Sequence, residues 1–127
     1  MAKINRKQLS KANRLNVYYK YDKHCAYCGC ELEYRDMQID HIKAVYKSEL
    51  DGENADESIE NLMPACRMCN FYKSTFSIEQ FRERLHSLHT RLKEQFIFRL
   101  ALKYGIVELD LKPIEFYFEK NEKEGEK

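Results

Sequence analysis

Apolar residues recur along this chain with two periods. Between residues 7 and 21, Leu9, Ala12, Leu15 and Tyr19 fall three or four apart, with Arg14 and the lysines elsewhere on the turn, which predicts an amphipathic helix. Asp22-Lys23-His24 ends it. Alternation follows: Glu31 to Tyr34 and Met37 to Ile42 read as two short strands joined by a tight turn at Arg35-Asp36. In the second, Met37, Ile39 and His41 alternate with Gln38, Asp40 and Ile42, so a regular strand turns Asp40 and His41 to opposite faces. Residues 43–60 show neither period and read as a polar, acidic loop with Asp51-Gly52 as its turn signal. Pro64 marks the approach to a helix that begins near Cys66.

Helical spacing then returns. Ser77-Ile78-Glu79-Gln80 is a capping-box signature. Ile78, Phe81, Leu85, Leu88, Leu92, Phe96 and Leu100 recur at threes and fours up to Tyr104, and Gly105 supplies the stop. This long helical region is expected to be continuous or broken near His89-Thr90. Its stripe is expected to pack on the core, although a helix this long in a small domain also offers a dimer surface. His86 and His89 read as surface residues. Ile114 to Glu119, alternating after Pro113, predicts a final strand, and residues 120–127 a frayed end. With no internal repeat and no linker, the expectation is one domain over 1–127, its core at about 14–76 and an extension with a strand over 77–119.

Composition narrows the class. The 127 residues hold abundant charge, no tryptophan and no apolar run long enough to span a membrane. The start, Met1-Ala2-Lys3-Ile4, does not read as a signal peptide. Five cysteines in such a chain suggest a reducing, cytoplasmic setting where thiols bind metal rather than pair. The net charge of +1 conceals segregation. Residues 1–24 carry seven Lys or Arg against Asp22, and 49–60 carry six acids with no base. Residues 61–104 are basic again. Such asymmetry suits a basic face for nucleic acid, and equally an ordinary solvated surface.

The chemistry-bearing residues lie between Cys25 and Lys73. Two Cys-x-x-Cys pairs, Cys25 with Cys28 and Cys66 with Cys69, predict four thiolates around one zinc ion. The fifth, Cys30, reads as a bystander, or as a competitor through a Cys28-x-Cys30 pair. A zinc knuckle and hairpin followed by a helix make a treble-clef arrangement. Between the pairs, His41 beside Asp40 can deprotonate water. The Asp40 carboxylate and the Asn70 amide oxygen make an open set of hard ligands for a divalent cation. Asn70 directly follows a zinc ligand, which fixes its place. The two-sided amide of Asn61 can tie its loop to backbone near His41, and Lys73, one turn beyond Asn70, can reach the same phosphate.

Cys-x-x-Cys, Asp-His-Ile, Asn-Leu and Cys-x-x-Cys-Asn-x-x-Lys, in this order, resemble the zinc-containing HNH endonucleases common in phages and bacteria. The resemblance spans about residues 14–73. It implies an α+β fold with a ββα-metal core, flanked by the N-terminal helix and the long C-terminal helical region. It further implies a DNA endonuclease that hydrolyses phosphodiester bonds, nicking one strand at a time, in the cytoplasm of a bacterial host. His41 would be the general base, Asp40 and Asn70 would hold a cation such as magnesium or manganese, and Asn61 would orient the His41 loop. Cys25, Cys28, Cys66 and Cys69 would hold a separate structural zinc. Arg14, Arg67 and Lys73 would meet double-stranded DNA. Three features depart from the pattern: Lys43-Ala44 stand where a proline is common, the loop before Asn61 is acidic and lacks paired glycines, and Asn70 replaces a frequent histidine. Two other classes remain: a zinc-stabilised DNA-binding module without activity, and a thiol-disulfide protein, which would need a βαβ pattern that the sequence lacks.

Overall fold

The computed structural model describes residues 9–43, 52 and 58–125. Most of the acidic loop expected at 43–60 lies outside the described residues. Helix α1 runs over Lys11–Lys20, and Ser10 caps it by accepting from the Asn13 amide at 3.1 Å. Its buried side is turned relative to the expected stripe: Val17 is buried and Tyr19 faces outward. Arg14 lies on the inner side, where its guanidinium donates to the carbonyls of Tyr34 (3.2 Å) and Met37 (2.7 Å).

After α1 the chain reverses through Asp22 and Lys23, both left-handed at φ 50° and 66°. Residues 31 and 32 then pair back onto it. His24 bridges to Glu31, Leu32 donates to the Lys23 carbonyl at 2.7 Å, and Cys25 donates to the Cys30 carbonyl at 2.8 Å. The strand expected over 31–34 therefore does not form, and Tyr34–Asp36 is a single 3-10 turn. A two-residue hairpin at Arg35-Asp36 would need positive φ at its first position in either favoured turn type, which arginine does not favour.

The partner of strand β1 (Gln38–His41) is β2 (Leu62–Ala65), across the acidic loop. They run antiparallel, with Gln38 opposite Ala65, Ile39 opposite Pro64, Asp40 opposite Met63 and His41 opposite Leu62. Ala65 leads through Cys66 into α2 (Arg67–Lys73), which packs on β1. This β1–β2–α2 unit is a ββα core in a mixed α and β fold.

The capping box at Ser77 and Gln80 forms as expected and opens α3 (Ile78–His86). The long helix is broken twice, at Ser87 and at Glu94-Gln95, giving α4 (Leu88–Lys93) and α5 (Phe96–Lys103). Gly105, at φ +70°, follows α5 as the stop. Of the predicted stripe only Phe81 is buried; Phe96 is 68% exposed, and Leu92 and Leu100 are exposed as well. The stripe is thus not core beyond its first turns.

The final strand is also absent. The chain is irregular up to Phe116, and Tyr117–Gly125 forms α6. The first amides of a helix have no partner within it. Here Tyr117 and Phe118 donate theirs to the carbonyls of Tyr27 (3.0 Å) and Ala26 (2.8 Å), and Glu119 Oε1 accepts from Phe116 N at 2.9 Å. Phe116 is buried, stacked on Phe81 at 5.2 Å, and Arg82 holds both Glu119 (2.7 Å) and the Ile114 carbonyl (2.6 Å). No described helix is long and apolar enough to cross a membrane.

Candidate active site and metal centre

The two cysteine pairs arise from different local structures. Cys25 and Cys28 sit on a turn in which Gly29 donates to the Cys25 carbonyl at 3.0 Å. Gly29 has φ +81°, and a Cβ there would press on the Tyr117 ring at 2.9 Å, so glycine is required on both counts. Cys66 is the N-cap of α2, its sulfur accepting from the Cys69 amide at 3.4 Å. The turns meet because Ala26 donates to the Pro64 carbonyl at 2.8 Å.

All four sulfurs lie within 4.8 Å of one another. Cys28 Sγ and Cys66 Sγ are 3.8 Å apart. That is too long for a disulfide and equals the edge, about 3.8 Å, of a tetrahedron with zinc–sulfur bonds of about 2.3 Å. The electrostatics agree. A hydrogen bond from Cys69, with support from backbone amides, draws the Cys25 thiol down to about 4 against its burial. The same hydrogen bond and burial push Cys69 up, and burial raises Cys28. A dication suits four thiolates at this spacing. The residues therefore fit a structural zinc site. Cys30 is exposed and outside the cluster, its thiol raised to about 12 by burial and its bond to Cys28.

Asp40 and His41 do project to opposite faces of β1. Asp40 is 4% exposed on the core side, and His41 is half-buried on the other. The Asp40 carboxylate is held at Oδ2 by the Tyr27 hydroxyl and by Lys73 Nζ, the latter at 3.0 Å. Lys73 is fully buried and also lies 3.4 Å from the His41 carbonyl. Asn61 forms a clasp two residues beyond His41: its Oδ1 accepts from Lys43 N at 2.8 Å, and its Nδ2 donates to the Lys43 carbonyl at 3.3 Å. Its backbone carbonyl accepts from Ile42 N at 2.9 Å. Asn70 is half-buried on α2, one turn before Lys73 and thus on the side that meets β1.

Of the residues assigned to DNA, Arg67 is exposed, whereas Arg14 and Lys73 spend their charges inside the fold. Lys73 Nζ is turned onto Asp40 and the His41 carbonyl. Its burial had a signal in the sequence: Cys66, Cys69, Asn70 and Lys73 fall at i, i+3, i+4 and i+7, so a helix whose cysteines face a metal turns Lys73 inward too. Tyr27 was missed altogether. Burial, and then the charge of Asp40, push its phenol far above the ordinary value, so it stays a proton donor to the carboxylate.

Residues 25–76 match the model of the HNH endonuclease family. No curated protein matches the chain. Among solved structures it is similar to the Type II-C Cas9 enzyme from Actinomyces naeslundii, with a TM-score of 0.50 and 24% identity over 64% of this chain. At that identity the likeness concerns the fold, and the match spans only 8% of the Cas9 chain. The family match supports a nuclease-type function for this segment. Between Cys25 and Phe76, this chain is similar to HNH endonuclease domains.

Proposed function

We propose that the protein is a metal-dependent DNA endonuclease that hydrolyses phosphodiester bonds one strand at a time. The observation that carries this reading is the ββα unit, with Asp40 and His41 consecutive on β1 and Asn70 on the helix packed against it. His41 is the general base. It takes the proton from water, the hydroxide oxygen bonds to phosphorus, and the bond from phosphorus to the leaving sugar oxygen breaks. Asn61 holds the backbone after His41 through its clasp on Lys43. Asp40 and Asn70 are the ligands for a cation such as magnesium or manganese, which when bound would stabilise charge on the phosphate and the leaving oxygen. Tyr27 and Lys73 both engage Oδ2 of that carboxylate.

Exposed Arg67, at the start of α2 and three residues before Asn70, is a phosphate contact. A second reading, a zinc-stabilised DNA-binding module without activity, draws on the burial of Asp40 and its pairing with Lys73. Plasmid nicking with and without magnesium, run beside a zinc determination, separates the two. His41→Ala should keep its zinc and its fold while losing about a hundredfold to ten-thousandfold in rate, the usual worth of a positioned general base. Unchanged nicking by that variant, with Asp40→Ala prepared identically and inactive, would remove His41 from the mechanism.

A further inference from the structure

We propose that Tyr27 is a positioning residue through which the first zinc knuckle sets the orientation of the Asp40 carboxylate toward the catalytic cation. The proposal rests on reading Asp40 as a cation ligand. It starts from a residue that the reaction scheme does not use. Tyr27 stands between two zinc-site cysteines, is 3% exposed, and directs its hydroxyl at the buried Asp40.

Burying a carboxylate is costly unless it is paired and hydrogen-bonded. Lys73 already supplies the opposite charge at 3.0 Å. An ammonium with three rotatable donors, on a flexible stem, neutralises the carboxylate without fixing its plane. The phenol does what the ammonium does not, because a ring held at both ends donates along one direction. Phe81 packs edge-on against it at 5.4 Å and Phe116 at 5.5 Å, with interplanar angles of 88° and 77°. Its backbone is anchored too, since the Tyr27 carbonyl accepts from Tyr117 and the flanking cysteines belong to the metal cluster. Both donors fall on Oδ2. A rigid line thus runs from the sulfur cluster through the Tyr27 ring to one oxygen of Asp40. Outer partners of this kind orient a ligand and sharpen its affinity for metal.

The plain structural alternative is that Tyr27 is a core aromatic whose hydroxyl has found the nearest acceptor. Tyr27→Phe separates the two, since it removes one oxygen and keeps the ring. It should stay folded with its zinc content close to wild type, and melt at a modestly lower temperature for the hydrogen bond lost at a buried carboxylate. Manganese affinity, measured by electron paramagnetic resonance, should weaken by about 10- to 100-fold, the usual cost of losing such a partner. The magnesium concentration giving half-maximal nicking should rise by a similar factor, with a smaller change in the maximal rate. Wild-type manganese affinity and an unshifted magnesium midpoint in a zinc-loaded Tyr27→Phe protein would overturn the proposal. Asp40→Ala is the companion arm. If it abolishes manganese binding while Tyr27→Phe changes nothing, only the role of Tyr27 fails; if it binds manganese normally, the reading of Asp40 fails and the proposal with it. The wild-type protein gives a measurement that needs no variant. The buried Tyr27 hydroxyl proton should be visible by NMR and should shift on magnesium titration with the midpoint seen in nicking. A resonance indifferent to saturating magnesium would overturn the proposal.

Discussion

The segment from Cys25 to Phe76 and the helical stretch from Ile78 to Gly105 use opposite means to hold their shape. In the first, polar and sulfur atoms organise the packing: four cysteines cluster, Asp40 is shared by Tyr27 and Lys73, and Asn61 clasps the backbone beyond His41. Its strands are only four residues each, too short to be stable as an isolated hairpin. In the second, the sequence offers a long apolar stripe, yet most of it stays at the surface. α3 is anchored by Phe81 in the aromatic cluster and by Arg82 on Glu119, and α4 by Arg91 on the Tyr72 hydroxyl at 2.6 Å. Amphipathic spacing therefore shows that a helix will form, not that its apolar face is buried within the same chain.

The largest test of this contrast removes the sulfur cluster. Cys66→Ala deletes one ligand and the N-cap of α2 together. It should abolish zinc binding and most of the fold, because structural zinc supplies folding free energy outright. Elemental analysis and circular dichroism would show it, and native protein purified without any zinc would break the comparison at its root.

The next test sits where the two regions join. Phe81 is buried, packed edge-on to Tyr27 and stacked on Phe116. Phe81→Ala should cost about 3–5 kcal/mol in urea unfolding, the usual range for emptying such a site. A loss below about 1 kcal/mol would mean that the helices contribute nothing to the cysteine-clasped segment, and that α3 is merely tethered to it.

Much of the site was legible in the sequence because metal ligation and capping are local rules. The spacing of Cys25, Cys28, Cys66 and Cys69 announces the cluster, Ser77 and Gln80 announce a helix start, and alternation places Asp40 and His41 on opposite faces. What was not legible depends on partners distant in the chain. Glu31 to Tyr34 alternates like a strand but spends its backbone on residues 23–25 and on Arg14. Ile114 to Glu119 alternates too, yet the carbonyls of Ala26 and Tyr27 receive its amides and start a helix. Lys73 and Arg14 are cations whose charges are taken up internally, which composition cannot distinguish from a phosphate-binding pair.

The smallest expected effect lies on the apolar face of α5. Ile97 is 71% exposed, so Ile97→Ser removes little buried area, and the two residues have similar helix propensities. Unfolding should shift by no more than about 0.5 kcal/mol, as for surface changes that break no buried contact. The same measurement at two protein concentrations carries more information. An effect of several times that size, growing as the protein is concentrated, would mean that the face is buried between two copies of the chain, since association adds to apparent stability by mass action. A large effect independent of concentration would instead return the stripe to the core of its own chain. A small effect at both concentrations leaves the contrast intact: the segment bearing the cysteines, Asp40 and His41 sets buried polar and sulfur contacts within the apolar core, and α5 rests on helix propensity and on its packing against α4.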